Sequence, residues 1–167
     1  MSSITRDTET LRERIVAQLG SRELAGKVEY LGHLEHADLL KEMRGAGLQI
    51  FPSEWYETFG RGVIEAFACG VPVIAARLGA AAELVDEGRT GLLFEPGDAR
   101  SLAEKVAWSL DHEAETRAMG REARTEFERR YTARTNYETL AQIYARAIEL
   151  GRQRRDGAGH PAAREPA

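Results

Sequence analysis

One cysteine, Cys69, stands in 167 residues. An intramolecular disulfide and a cysteine-cluster metal site are therefore excluded, and a reduced, cytoplasmic compartment is the expectation. No apolar stretch approaches the roughly 20 residues that cross a bilayer. The opening MSSITRDTET lacks the apolar core of a secretory signal, so no membrane span and no export are expected. Cations are not in excess: 23 Lys and Arg face 27 Asp and Glu, a net charge of −4. A nucleic-acid partner, which needs clustered cations, is not expected. No repeat at solenoid periods occurs. No Gly-x-Gly-x-x-Gly follows the first apolar run, which disfavours a general mononucleotide-binding Rossmann domain.

What the chain does have is alternation. Short apolar runs at Val28–Leu31, Leu48–Phe51, Val71–Ala75 and Leu92–Phe94 read as buried parallel strands. Helical patterns fall between them near 37–45, 61–69 and 80–86. The expected fold class is α/β, a Rossmann-like parallel sheet with flanking helices. Leu11, Ile15 and Leu19 form an apolar stripe before it. Asp98 caps an expected helix from Ala99 to about Leu110, with Leu102, Val106 and Leu110 on one face. A charged helix is expected at about 113–130. Thr132 then caps a last helix, with Tyr137, Leu140, Ile143, Tyr144 and Ile148 on its buried side. The domain is expected to occupy residues 1–150, and 151–167, without a large apolar residue, a disordered tail.

Chemistry concentrates in Phe51–Ala76, FPSEWYETFGRGVIEAFACGVPVIAA. The loop 52–60 follows a strand, where ligands of open α/β sheets sit. Gly60 and Gly62 flank Arg61 at a helix start, where free N–H groups and the helix dipole suit a phosphate. Glu57 precedes that helix and Glu65 lies in its second turn. Two readings stay open for the pair. Either the carboxylates take vicinal hydroxyls, or Glu57 complements the dipole and Glu65 pairs with Arg61 one turn back. Trp55 and Tyr56 could stack on a sugar or close the loop against the core. Cys69 and Trp108 read as packing. His33 and His36 lack a third orienting ligand, and Thr116 stands where a zinc-protease helix starting at His112 needs its second His.

The segment resembles the C-terminal, donor-binding domain of retaining GT-B glycosyltransferases of the group 1, or GT4, type. PSEWYETFG, VIEAFACGVPVIA and AELVDEGRTGLLFEPGD carry the resemblance, which covers about residues 10–150. It implies that Glu57, the bet for the catalytic position, holds hydroxyls of the donor sugar. Phe59, Gly60 and Arg61 would offer N–H groups to sugar and diphosphate. Val63 and Ile64 would lie over the nucleoside, Glu65 would bind the ribose, and Gly32 and His33 would lie beside the base. The substrate would be a nucleotide sugar such as a UDP- or GDP-sugar, with no cofactor and no metal. The resemblance also implies departures. No N-terminal acceptor domain is recognised, and the first two strands of the donor domain, with the Arg and Lys that answer the diphosphate, have no equivalent before Val28. A polypeptide supplying that missing half is the expected partner, and the chain alone is expected to be a poor catalyst. The alternative is a truncated, non-catalytic relative acting as a nucleotide-binding or interaction subunit. LGAAAEL at 78–84 replaces a second Gly-Gly turn.

Overall fold

Val73–Ala76 (VIAA) and Gly91–Phe94 (GLLF) are buried at every residue, as strands covered on both faces must be. A computed structural model describes residues 29–157 of the chain. The chain divides into two units, Met1–Leu39 and Leu40–Ala167. In the described order the elements are α1 (His36–Gly45), β1 (Gln49–Phe51), α2 (Arg61–Cys69), β2 (Val73–Ala76), α3 (Gly79–Leu84), β3 (Gly91–Phe94), α4 (Ala99–Asp111), α5 (Glu113–Arg130) and α6 (Ala133–Gly157). The three strands form one parallel sheet in the order β1-β2-β3. Gln49 pairs with Val73, and Val73 with Gly91. The fold class is α/β as expected, a parallel sheet flanked by helices.

Alternation along the strands builds the two halves of the core. Val73, Ala75 and Leu93 point to one side, where Val63, Ala66 and Phe67 of α2 pack. Ile74, Ala76, Leu92 and Phe94 point to the other, against Leu102 and Val106 of α4. Helix α5 serves both, with Ala123 on the first side and Met119 on the second. Each large buried side chain, such as Phe67 or Ile74, contributes about 1.5–3 kcal/mol. Two glycines allow this closeness. A Cβ at Gly91 would lie 2.1 Å from Val73 O, and one at Gly120 would lie 2.5 Å from Gly70 O. No side chain fits between those backbones.

The segment DEGRTG before β3 is a built corner. Thr90, fully buried, donates its amide to Asp86 O, and its hydroxyl accepts from Asp86 N at 2.9 Å. Arg89 pairs with Asp86 at 2.6 Å and reaches Glu126 of α5 at 3.2 Å. Glu126 is buried and also receives Arg129 at 2.8 Å and Arg130 at 3.2 Å. Burial alone pushes its carboxyl up; the guanidinium bonds of Arg129, Arg130 and Arg89 outweigh that and hold it below its ordinary value.

Several expectations need correction. Of the expected strand Val28–Leu31, the described Glu29–Leu31 belong to no strand. A strand exists only with a hydrogen-bonded neighbour, and none of the described residues pairs with these. The sheet therefore has three described strands. On α4, Leu110 is 69% exposed while Ser109 is buried. From Leu102, seven residues return almost to the starting direction, whereas eight rotate about 80° beyond it. Ser109 is satisfied there, donating to Lys105 O, while its own carbonyl accepts from Thr116 Oγ1. Trp108 is not in the core; it stacks on His112, ring centroids 4.4 Å apart. Helix α6 is capped as expected, Thr135 N donating to Thr132 Oγ1. Its apolar face is not buried: Tyr137, Leu140, Ile143, Tyr144 and Ile148 are all exposed. Residues 136–155 are exposed throughout, with no surface of the described residues against them. The helix also passes Gly151 and runs to Gly157. Glycine weakens a helix by only about 1 kcal/mol, and Gly151-Arg152-Gln153-Arg154-Arg155 contains no proline to stop it. The Leu11–Leu19 stripe and residues 158–167 lie outside the described residues. None of the described helices is long and apolar enough to cross a membrane.

Candidate functional site

The loop 52–60 leaves the carboxyl end of β1 and enters α2. Ser53 organises its first half. Its hydroxyl accepts from Trp55 N at 3.4 Å and donates to Glu57 Oε1 at 3.2 Å. The Glu57 backbone is held from both sides. Its amide bonds to Trp55 O at 2.8 Å, and its carbonyl accepts from Ala80 N at 3.0 Å. Gly79, at φ +54°, brings the start of α3 so near that a Cβ there would be 3.1 Å from Glu57 N and O. Neither Ser53 nor the Ala80 contact was among the expected site features. The Pro-Ser pair at a strand end was the available signal, since such pairs start turns.

Gly60 is the hinge into the helix. It is buried, adopts a left-handed conformation (φ 65°, ψ 43°) and caps α2 with no side-chain bond. Its carbonyl accepts from Val63 N at 3.0 Å and Ile64 N at 3.4 Å. The amides of Arg61 and Gly62 have no carbonyl one turn back to bond. They face the loop with the positive end of the helix dipole. Gln49 of β1 supports this end from below, its Nε2 donating to Gly62 O at 3.4 Å. Its Oε1 is buried without a partner among the described residues.

Glu65 lies one turn on and pairs with Arg61 at 2.7 Å, the carboxylate largely covered and the guanidinium exposed. The pairing reading of the sequence is thus realised. The pair itself is an i,i+4 bridge, worth a few tenths of a kcal/mol. Val63 is wholly in the core, so only its backbone faces outward; Ile64 is half-buried. Phe59, Trp55 and Tyr56 are 67%, 82% and 80% exposed. The two aromatics therefore do not close the loop against the core. Glu57, Gly60, Arg61, Gly62 and Glu65 meet around one helix start. Gly32, at φ +68°, and His33 belong to the Met1–Leu39 unit, where both are exposed.

The sequence model described as glycosyl transferases group 1 matches residues 8–126. The chain is 31% identical over 144 residues to glycogen synthase of Mycobacterium tuberculosis, covering 86% of this chain and 34% of the relative. It is 34% identical over 136 residues to D-inositol 3-phosphate glycosyltransferase 2 of Catenulispora acidiphila, covering 81% and 31%. The chain thus spans about a third of the length of these relatives. Among solved structures, Anabaena HepE in complex with UDP aligns with a TM-score of 0.77 at 28% identity, covering 86% of this chain and 38% of that one. The same protein in complex with UDP-glucose aligns with a TM-score of 0.73. Fold, loop and sequence match converge, and the chain belongs to the group 1 glycosyltransferases.

Proposed function

We propose that the chain binds a nucleoside diphosphate sugar, UDP- or GDP-linked, and serves the retaining transfer of that sugar to an acceptor held by a further polypeptide segment. The observation that carries this reading is the left-handed Gly60 cap without a side-chain bond, which leaves the first amides of α2 open at the end of a loop bearing Glu57. In the transfer the bond from the anomeric carbon to the diphosphate oxygen breaks, the diphosphate leaving with the electron pair, while an acceptor hydroxyl oxygen bonds to that carbon and its proton passes to the departing diphosphate. Fixed N–H dipoles of Phe59, Gly60 and Arg61 would stabilise that charge without reorganising. Glu57, oriented by Ser53, would take hydroxyls of the sugar. Glu65 would exchange Arg61 for the ribose hydroxyls, with Ile64 against the nucleoside. One related protein, Anabaena HepE, solved with UDP and with UDP-glucose, supports the donor class. No metal and no cofactor enters this reading, residues 1–150 form the donor portion, and the compartment is the cytoplasm.

The test is a titration with UDP, GDP and ADP followed by two-dimensional amide NMR, with Glu65→Ala beside the parent chain. Saturable shifts at Gly60–Glu65 are expected for one base. In Glu65→Ala the affinity should fall about tenfold or more, the loss of a charged hydrogen-bond acceptor. A dispersed spectrum without shifts overturns donor binding and favours the non-catalytic, interacting relative. An undispersed spectrum assigns the second polypeptide a role in folding. A large drop in melting temperature for Glu65→Ala would make that residue structural.

A further inference from the structure

The amino ends of the strands, opposite the loop 52–60, carry a second feature that the donor reading leaves unused. A groove of about 400 Å³ opens there. One side is lined by Ala46 and Gly47 before β1, Gly70 and Pro72 before β2, and Gly120 of α5. Its wall is Arg117, Arg121 and Arg124. These fall at steps of four and three, on one stripe of α5. Like charges at such spacing repel and weaken a helix. The outer two are answered: Arg117 pairs with Glu113 at 2.6 Å and Arg124 with Glu128 at 2.8 Å. Arg124 also donates to Ala68 O, covering the carbonyl end of α2. The central Arg121 has an arginine on either side and no acidic partner among the described residues. A second hollow, of about 420 Å³, continues the groove past Arg117 towards Leu48 and Leu110.

We infer that this groove is a binding site for a phosphate-bearing anion, separate from the donor site. Guanidinium forks match phosphate oxygens bidentately and recognise them as no other side chain does. The anion would supply the negative charge that Arg121 lacks. Its source is either a free phosphate compound or a lipid headgroup, with Leu48 and Leu110 beside the apolar part in the second case.

The probe is inorganic pyrophosphate, titrated into the full chain and into Arg121→Gln and Glu65→Ala, with amide NMR as readout. Binding in the groove should give saturable shifts at Gly47, Gly70 and Gly120, apart from any at Gly60–Gly62. Arg121→Gln should weaken those shifts about tenfold and Glu65→Ala should leave them unchanged. Arg121 is exposed and outside the core, so the variant should keep a dispersed spectrum. Co-sedimentation with phosphatidylglycerol vesicles, lost in Arg121→Gln without a pyrophosphate response, would assign the site to a lipid headgroup. Absence of both, or a response indifferent to Arg121→Gln, overturns the site. The donor reading stands or falls separately, on the shifts at Gly60–Glu65.

Discussion

Gly60 shows how one residue sets the geometry of the loop. Its left-handed backbone costs an L side chain about 1 kcal/mol or more, and a Cβ there would stand 2.7 Å from Leu84 Cδ1. Leu84 can swing, so the backbone conformation is the larger obstacle. Gly60→Ala should lower stability by about 1–2 kcal/mol, readable as a shift of the urea midpoint. It should also weaken nucleotide binding beyond that loss, because the first amides of α2 would be re-aimed. Unchanged affinity would separate the cap from the site. Ser53 is the smaller counterpart: its hydroxyl donates to Glu57 Oε1, so it orients that carboxylate without being part of it.

At the scale of elements, Asp98 was readable because capping needs only local sequence. Its carboxylate accepts from Arg100 N at 2.9 Å and Ser101 N at 3.1 Å. Asp98→Ala should cost about 1 kcal/mol by thermal unfolding, with the fold kept. The helix starts and ends of α2 and α5 were equally readable, from glycines and charge. Ser109 was not, because a buried serine is chosen by the neighbouring helix that covers it, and Leu110 looked the better core residue in isolation. The apolar face of α6 stays exposed for a related reason. Amphipathic spacing says that a stripe can be buried, not that a surface exists to bury it. In the site, the Glu57, Gly60 and Glu65 constellation was visible as a spacing. The clasp of Ala80 on Glu57 was invisible, since it joins a loop to the start of α3 by backbone atoms that any residue possesses.

For the whole molecule, Glu126 is the tie between α5 and the corner before β3. Its partners come from positions 89, 129 and 130, a set no sequence window contains. Because its folded carboxyl is held below the ordinary value of 4.5, it binds protons less readily than in the unfolded chain. The stability it contributes is therefore present above pH of about 4.5 and fades as pH falls through the folded value. Glu126→Gln should be less stable than the parent chain by about 1–3 kcal/mol near neutrality, and the gap in melting temperature should narrow on acidification. A gap constant down to strongly acid solution would show that the carboxylate's charge is not what matters. The sheet order has a consequence of another kind, for biosynthesis. Each described strand lies beside the described strand made just before it, so these three can pair in the order of translation. What the ribosome delivers last of the packed core is α5, whose Ala123 and Met119 seal both faces. A nascent chain halted before it would hold the described strands paired but the places that Ala123 and Met119 fill still open, the form a chaperone would meet.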